Sequence, residues 1–136
     1  MKKLITLFAA SLLSFNAMAG MVVIGNVSGV DALSQSDVKK LFLGKKTKLD
    51  NGSTARIVEL ADGSAGRLAF HELTTGRSES QLQSAWSRLV FTGKAEAPIQ
   101  VADYAGVISE VSGNSDAIGY VEESALTGDV KVLLKL

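Results

Sequence analysis

The chain has 136 residues, with 14 Lys and Arg against 14 Asp and Glu, a single His and no Cys. Without cysteine it can form no disulfide, do no thiol chemistry and offer no thiolate to zinc. Balanced charge with no basic stripe leaves no electrostatic footprint for nucleic acid, so no nucleic-acid partner is expected.

In chain order, Met1-Lys2-Lys3, a mostly apolar run from Leu4 to Leu13 and the box Ala17-Met18-Ala19 read as a cleavable signal peptide over residues 1–19, with cleavage before Gly20. That run is about half the ~20 residues needed to cross a bilayer, and no cysteine follows it to carry a lipid. Stable membrane insertion is therefore not expected. Lys-Lys in place of twin Arg points to the general secretory route, and the expected location is the periplasm of a Gram-negative bacterium. Removing residues 1–19 takes away two lysines and no acid, so residues 20–136 carry a net charge of −2. Those 117 residues suit a single domain that stands on its core alone.

Met21 to Ile24 is β-branched and apolar and predicts a buried strand. Ser34 with Asp37 three residues on, and Leu33 with Val38 placed as a staple, open a helix that Gly44 ends. Ala55 to Leu60 predicts a second strand. Asp62-Gly63-Ser64 leads from it into a helix reaching about Thr74, with Ala65, Ala69 and Leu73 as its apolar stripe. Ser78 and Gln81 form a capping box for a third helix, with Leu82, Ala85, Trp86, Leu89 and Val90 on its apolar face. Ile99 to Ala102 is a short strand. Asp103 caps a fourth helix bearing Tyr104, Val107, Ile108 and Val111, and Ala117 to Val121 and Val130 to Leu136 are two more strands. Alternating strands and short helices predict an α/β domain. Leu41-Phe42-Leu43-Gly44-Lys45 is similar to Val90-Phe91-Thr92-Gly93-Lys94, which two glycine-capped helix ends explain better than an internal repeat.

Enzyme chemistry finds little support. His71 is alone, so a metal site lacks ligands, and Gly63-Ser64-Ala65-Gly66 is not a nucleophile elbow. No cofactor, no metal and no catalytic residue are expected. The most informative segment is Asp62-Gly63-Ser64-Ala65-Gly66-Arg67, where small residues join a strand end to a helix start. Such a turn presents the first N–H groups of the helix and its positive dipole end to an anion. Ser64 adds a hydroxyl, the N–H groups of Ala65 and Gly66 add donors, and Arg67 adds a guanidinium suited to a tetrahedral oxyanion. The competing reading of the same residues is ordinary capping by Ser64, with Arg67 in solvent. Asn26 and Ser28, on the first turn, are weaker candidates.

Taken in order, the blocks Leu33-Ser34 to Lys45, Asn51-Gly52, Val58 to Ser64, Arg67 and Phe70, Trp86, Phe91-Thr92-Gly93 and Ala117 to Val121 resemble the phosphate-binding periplasmic receptors of ABC transporters, over about Val22 to Ala125. The likeness is to one lobe of these two-lobed proteins. It implies a periplasmic-binding-protein-like lobe, a mixed sheet of about five strands flanked by about four helices, with ligand at the carboxyl ends of strands. In those receptors the turn reads Arg-x-Asp-Gly-Ser-Gly-Thr and its Arg, Ser, Gly and Thr hold phosphate. Asp62, Gly63 and Ser64 match that pattern, whereas Leu60 stands in the place of the arginine, Ala65 of the glycine and Gly66 of the threonine. The resemblance implies a non-enzymatic solute-binding protein that takes phosphate or a similar oxyanion, its site closed by a homodimer, and the expected partners are that second copy or an envelope protein. The alternative is an interaction module of the cell envelope that kept the fold and lost the ligand.

Overall fold

The computed structural model describes residues 20–136, and the signal-peptide expectation for residues 1–19 lies outside the described residues. The chain runs β1 (Met21–Asn26), α1 (Gln35–Phe42), β2 (Arg56–Leu60), α2 (Ala65–Leu73), α3 (Glu79–Phe91), β3 (Ile99–Val101), α4 (Tyr104–Gly113), β4 (Ala117–Glu122), a 3₁₀ turn (Glu123–Ala125) and β5 (Val130–Lys135). The strands form one five-stranded mixed sheet in the order β3-β2-β4-β1-β5. β2 pairs in parallel with β3 and β4, while β1 runs antiparallel to β4 and β5. Five strands and four α-helices in one α/β domain match the expected fold class.

Capping residues set most of the helix boundaries. Ser34 accepts the Asp37 N–H, Asp103 accepts the Gly106 N–H, and Ser78 and Gln81 close a reciprocal capping box. The two similar segments end their helices by the same device. Gly44 and Gly93 both take φ near +70°, and Lys45 and Lys94 each donate an N–H back to the carbonyl five residues earlier. Their aromatic residues then part ways, since Phe42 is buried and Phe91 is 92% exposed.

The core forms where β1, β2 and β4 are covered by helices, and every residue of β1 is buried. Val22, Val23, Ile24, Val38, Phe42, Val58, Phe70, Val107, Val111 and Val121 make up much of it. Phe70 is clamped between Tyr120, stacked at 3.9 Å between ring centres, and Phe42, edge-on at 4.7 Å. Tyr120 also turns its hydroxyl to the Leu60 N–H at 3.2 Å, which ties β4 to the end of β2.

One expectation fails in α2. The stripe Ala65, Ala69 and Leu73 does not face the sheet, because Ala65 is exposed and Leu73 is mostly so. The buried face carries Arg67, Phe70 and His71. Turned this way the helix buries the Phe70 ring in place of Leu73 and the two alanine methyl groups, and brings a cation and an imidazole to a carboxylate on β2.

Two predictions follow from the packing of Phe70 and Tyr120. Phe70→Ala removes the ring between two aromatic neighbours and lowers the unfolding free energy by about 3–5 kcal/mol in urea denaturation. Burial pushes the Tyr120 phenol far above its usual pKa, with the Glu59 carboxylate adding to the rise. A raised folded-state pKa means stability that is full below the unfolded-chain value near pH 10 and is lost as pH rises beyond it, by about 1.4 kcal/mol per pH unit for one phenol. Tyr120→Phe therefore flattens the alkaline slope of unfolding free energy against pH, whatever offset the lost hydrogen bond adds.

Candidate functional site

β2 ends at Leu60, and Ala61, Asp62 and Gly63 turn the chain into α2, with Gly63 at φ +73°. Only glycine takes this left-handed backbone without strain. The parallel strands β2 and β3 both end here, and the helices that follow, α2 and α4, begin here. Their N-termini are close: a Cβ at Gly66 would fall 2.5 Å from the Tyr104 hydroxyl and 2.6 Å from Leu60 Cδ1. Gly66 is thus required by close packing of α2 on Leu60 and Tyr104. In open α/β sheets this is where ligands bind, outside the carboxyl ends of strands on either side of which the chain departs.

Ser64 has the extended backbone of an N-cap, yet its side chain makes no cap hydrogen bond. Its Oγ is enclosed and takes no protein partner, the one such buried side-chain oxygen or nitrogen among the described residues. The first N–H to close an α2 hydrogen bond is that of Leu68, to the Ser64 carbonyl, so the N–H groups of Ala65, Gly66 and Arg67 have no intrahelical acceptor. The structure brings Ser64, Ala65 and Gly66 together as a donor-rich edge. Tyr104, from the start of α4, also reaches this turn. Its hydroxyl lies against Gly66 with Met21 Sδ, at 3.9 Å, as its recorded partner. Burial and then the Glu122 carboxylate raise its pKa, which keeps it an O–H donor.

Arg67 points inward, the opposite of a solvent-facing residue, and is only 3% exposed. Its Nη1 donates to Glu59 Oε2 at 2.5 Å, its Nε to Glu79 Oε2 at 3.0 Å, and its Nη2 lies 3.4 Å from Asp62 Oδ1. Burial by itself disfavours the charged guanidinium, but the carboxylates of Glu59, Glu79 and Asp62 outweigh it and raise the pKa further. Glu59 is fully buried too. His71, one turn beyond Arg67, sets Nε2 3.0 Å from both Glu59 oxygens and Nδ1 2.8 Å from Thr75 Oγ1. A proton on Nε2 satisfies the set, with His71 donating to Glu59 and Thr75 donating to Nδ1. The resulting chain runs Thr75–His71–Glu59–Arg67–Glu79. A signal for it existed in the sequence: a glutamate inside an apolar strand needs a buried partner, and Arg67 and His71 share a helix face at i, i+4.

Asn26 and Ser28 are not part of this edge. β1 is antiparallel to β4, so Asn26 lies at the opposite end of the sheet, near the start of β2. Its amide donates to the Val111 and Ser112 carbonyls at 3.0 Å each and its Oδ1 accepts the Ser28 N–H, which commits it to closing the end of α4. A pocket of about 440 Å³ at that same far end gathers Lys46, Lys48, Arg56 and Lys94 over Trp86. Lys46 is already paired with Asp37 and Asp50, Lys48 bonds Thr54, and Arg56 pairs with Glu96. A larger groove of about 690 Å³ opens beside Asp62 and Arg67 and runs past Leu82, Trp86 and Phe91.

Removing the Arg67 cation strands Glu59 in the core. Arg67→Met lowers unfolding free energy by about 3–5 kcal/mol, and the double variant Glu59→Leu/Arg67→Met costs less than the sum of the two single changes in a double-mutant cycle.

No protein-family model and no curated protein sequence matches the chain. Solved structures do. An ABC-type phosphate transport receptor from Vibrio cholerae superposes with a TM-score of 0.67 at 17% identity, over 84% of this chain and 45% of that one. A Clostridium perfringens protein described as a phosphate ABC transporter substrate-binding protein, solved with bound phosphate, gives 0.65 at 22% identity over 84% and 44%. PstS from Borrelia burgdorferi gives 0.64 at 12% over 84% and 46%. The chain spans less than half the length of each of these structures, and its fold is that of one lobe of the phosphate transport receptors.

Proposed function

We propose that the protein is an exported, periplasmic solute-binding-type protein, without enzymatic activity, that binds phosphate or a similar oxyanion at the turn from β2 into α2. The observation that carries this reading is the Ser64 hydroxyl, enclosed at a helix N-terminus and without a protein partner. A buried polar atom left unpaired costs about 1–3 kcal/mol, and an oxyanion oxygen at that point would accept its proton and those of the neighbouring N–H groups. Ser64 and the N–H groups of Ala65 and Gly66 are the primary contacts, and Arg67 lends its charge from beneath. The fold shared with phosphate receptors, and the retained Asp62-Gly63-Ser64, support the same site.

A second reading, an interaction module that docks on an envelope protein, is favoured by one observation. The groove along α3 exposes Val90 and, almost completely, Phe91.

Ser64→Ala separates the two. Because Oγ has no protein partner, the variant keeps wild-type stability or gains slightly, unlike an ordinary N-cap deletion. Losing a hydrogen bond to a charged ligand lowers phosphate affinity by about ten- to a hundredfold in calorimetric titration. Absence of phosphate binding by the wild type at millimolar ligand would overturn the oxyanion reading and leave the docking module.

A further inference from the structure

Glu79, the first residue of α3, is placed as a ligand would be. Its Oε1 accepts the Gly63 N–H at 2.5 Å and its Oε2 accepts Arg67 Nε–H at 3.0 Å. One carboxylate thus bridges a main-chain donor of the Asp62-Gly63-Ser64 turn and the side chain of the buried cation beside it, the two kinds of donor an external oxyanion would use. Glu79 is partly solvent-exposed, and it sits at the N-terminus of a helix whose cap is made independently by Ser78 and Gln81. Its carboxylate is therefore not needed to close α3, and it can swing away without breaking that capping box. Arg67 would not be stranded by the exchange, because Glu59 and Asp62 remain beside it.

We infer that Glu79 is a tethered internal anion that occupies part of the oxyanion cradle and that a bound oxyanion must displace. This rests on the oxyanion reading of the turn. In the closed state Glu79 holds Gly63 N–H and Arg67 Nε. In the loaded state the external anion holds Ser64 Oγ and the neighbouring N–H groups and gains the freed Gly63 N–H, while Glu79 moves to solvent and Arg67 keeps Glu59 and Asp62. The tether competes at high effective concentration, so it sets a threshold below which free phosphate does not enter.

The test compares inorganic phosphate binding to wild type, Glu79→Ala and Glu79→Asp by calorimetry, with Ser64→Ala alongside. Glu79→Ala removes the competitor and its charge. Glu79→Asp keeps the charge on a side chain one methylene shorter, which cannot bridge both donors. The inference predicts tighter phosphate binding than wild type for both variants, about tenfold or more for Glu79→Ala. Equal affinity in all three proteins, or weaker binding in the variants, overturns it while the loss in Ser64→Ala keeps the oxyanion reading intact. Tightening in Glu79→Ala but not in Glu79→Asp also overturns it, since that pattern is a general charge effect. If no protein of the set binds phosphate, the reading of the turn fails and the inference fails with it.

Discussion

The pairing of Glu59 with Arg67 in the interior is the constraint on which the rest of this domain is arranged. A carboxylate on a strand covered on both faces is tolerable only if it is paired and its oxygens are hydrogen-bonded. Arg67 and His71 meet both needs from one face of α2, and that requirement fixes the rotation of the helix about its axis. With Arg67 and His71 inward, Phe70 between them falls on Tyr120 and Phe42, and Ala65 and Leu73 are turned out. The same rotation places Gly66 against Leu60 and Tyr104, so that α2 starts tightly against the end of β2. The ion pair and the geometry of the candidate site are consequences of one another.

This gives a physical account of where the chain departs from the receptor pattern it resembles. Leu60 stands where the resembled pattern has an arginine, and its side chain packs on Gly66, where an added Cβ would fall 2.6 Å from Leu60 Cδ1. The cation beside this turn, Arg67, sits on the helix, buried and shared with three carboxylates. In the proposed site, anion attraction would come mainly from directed N–H and O–H groups, with the guanidinium largely neutralised by its own neighbours. Such a site favours a ligand able to use several donors at once.

Local chemistry was legible in the sequence, and through-space chemistry much less so. Ser34, Ser78 and Asp103 announced three helix starts, and Gly44 and Gly93 two helix ends, because each acts on backbone groups within a few residues. The strand segments followed from β-branched runs, but the order β3-β2-β4-β1-β5 depends on pairings between distant residues that no local pattern encodes. The α2 face was misread because alanine and leucine at four-residue spacing look like a core stripe, while Arg67 and His71 look like surface. Only the fully buried Glu59 across from them makes the polar face the inner one. Ser64, Ala65 and Gly66 stand at the expected place between a strand and a helix, Tyr104 reaches the same turn from another helix, and Asn26 and Ser28 belong to the opposite end of the sheet.

The most direct measurement is a residue-resolved amide chemical-shift map of residues 20–136 titrated with inorganic phosphate. The account predicts saturable shifts centred on the N–H groups of Gly63, Ser64, Ala65 and Gly66, extending to Glu79 as its contact with Gly63 is given up. Shifts confined to the far end of the sheet, around Lys46, Lys48 and Lys94, or none at all at millimolar phosphate, would contradict it.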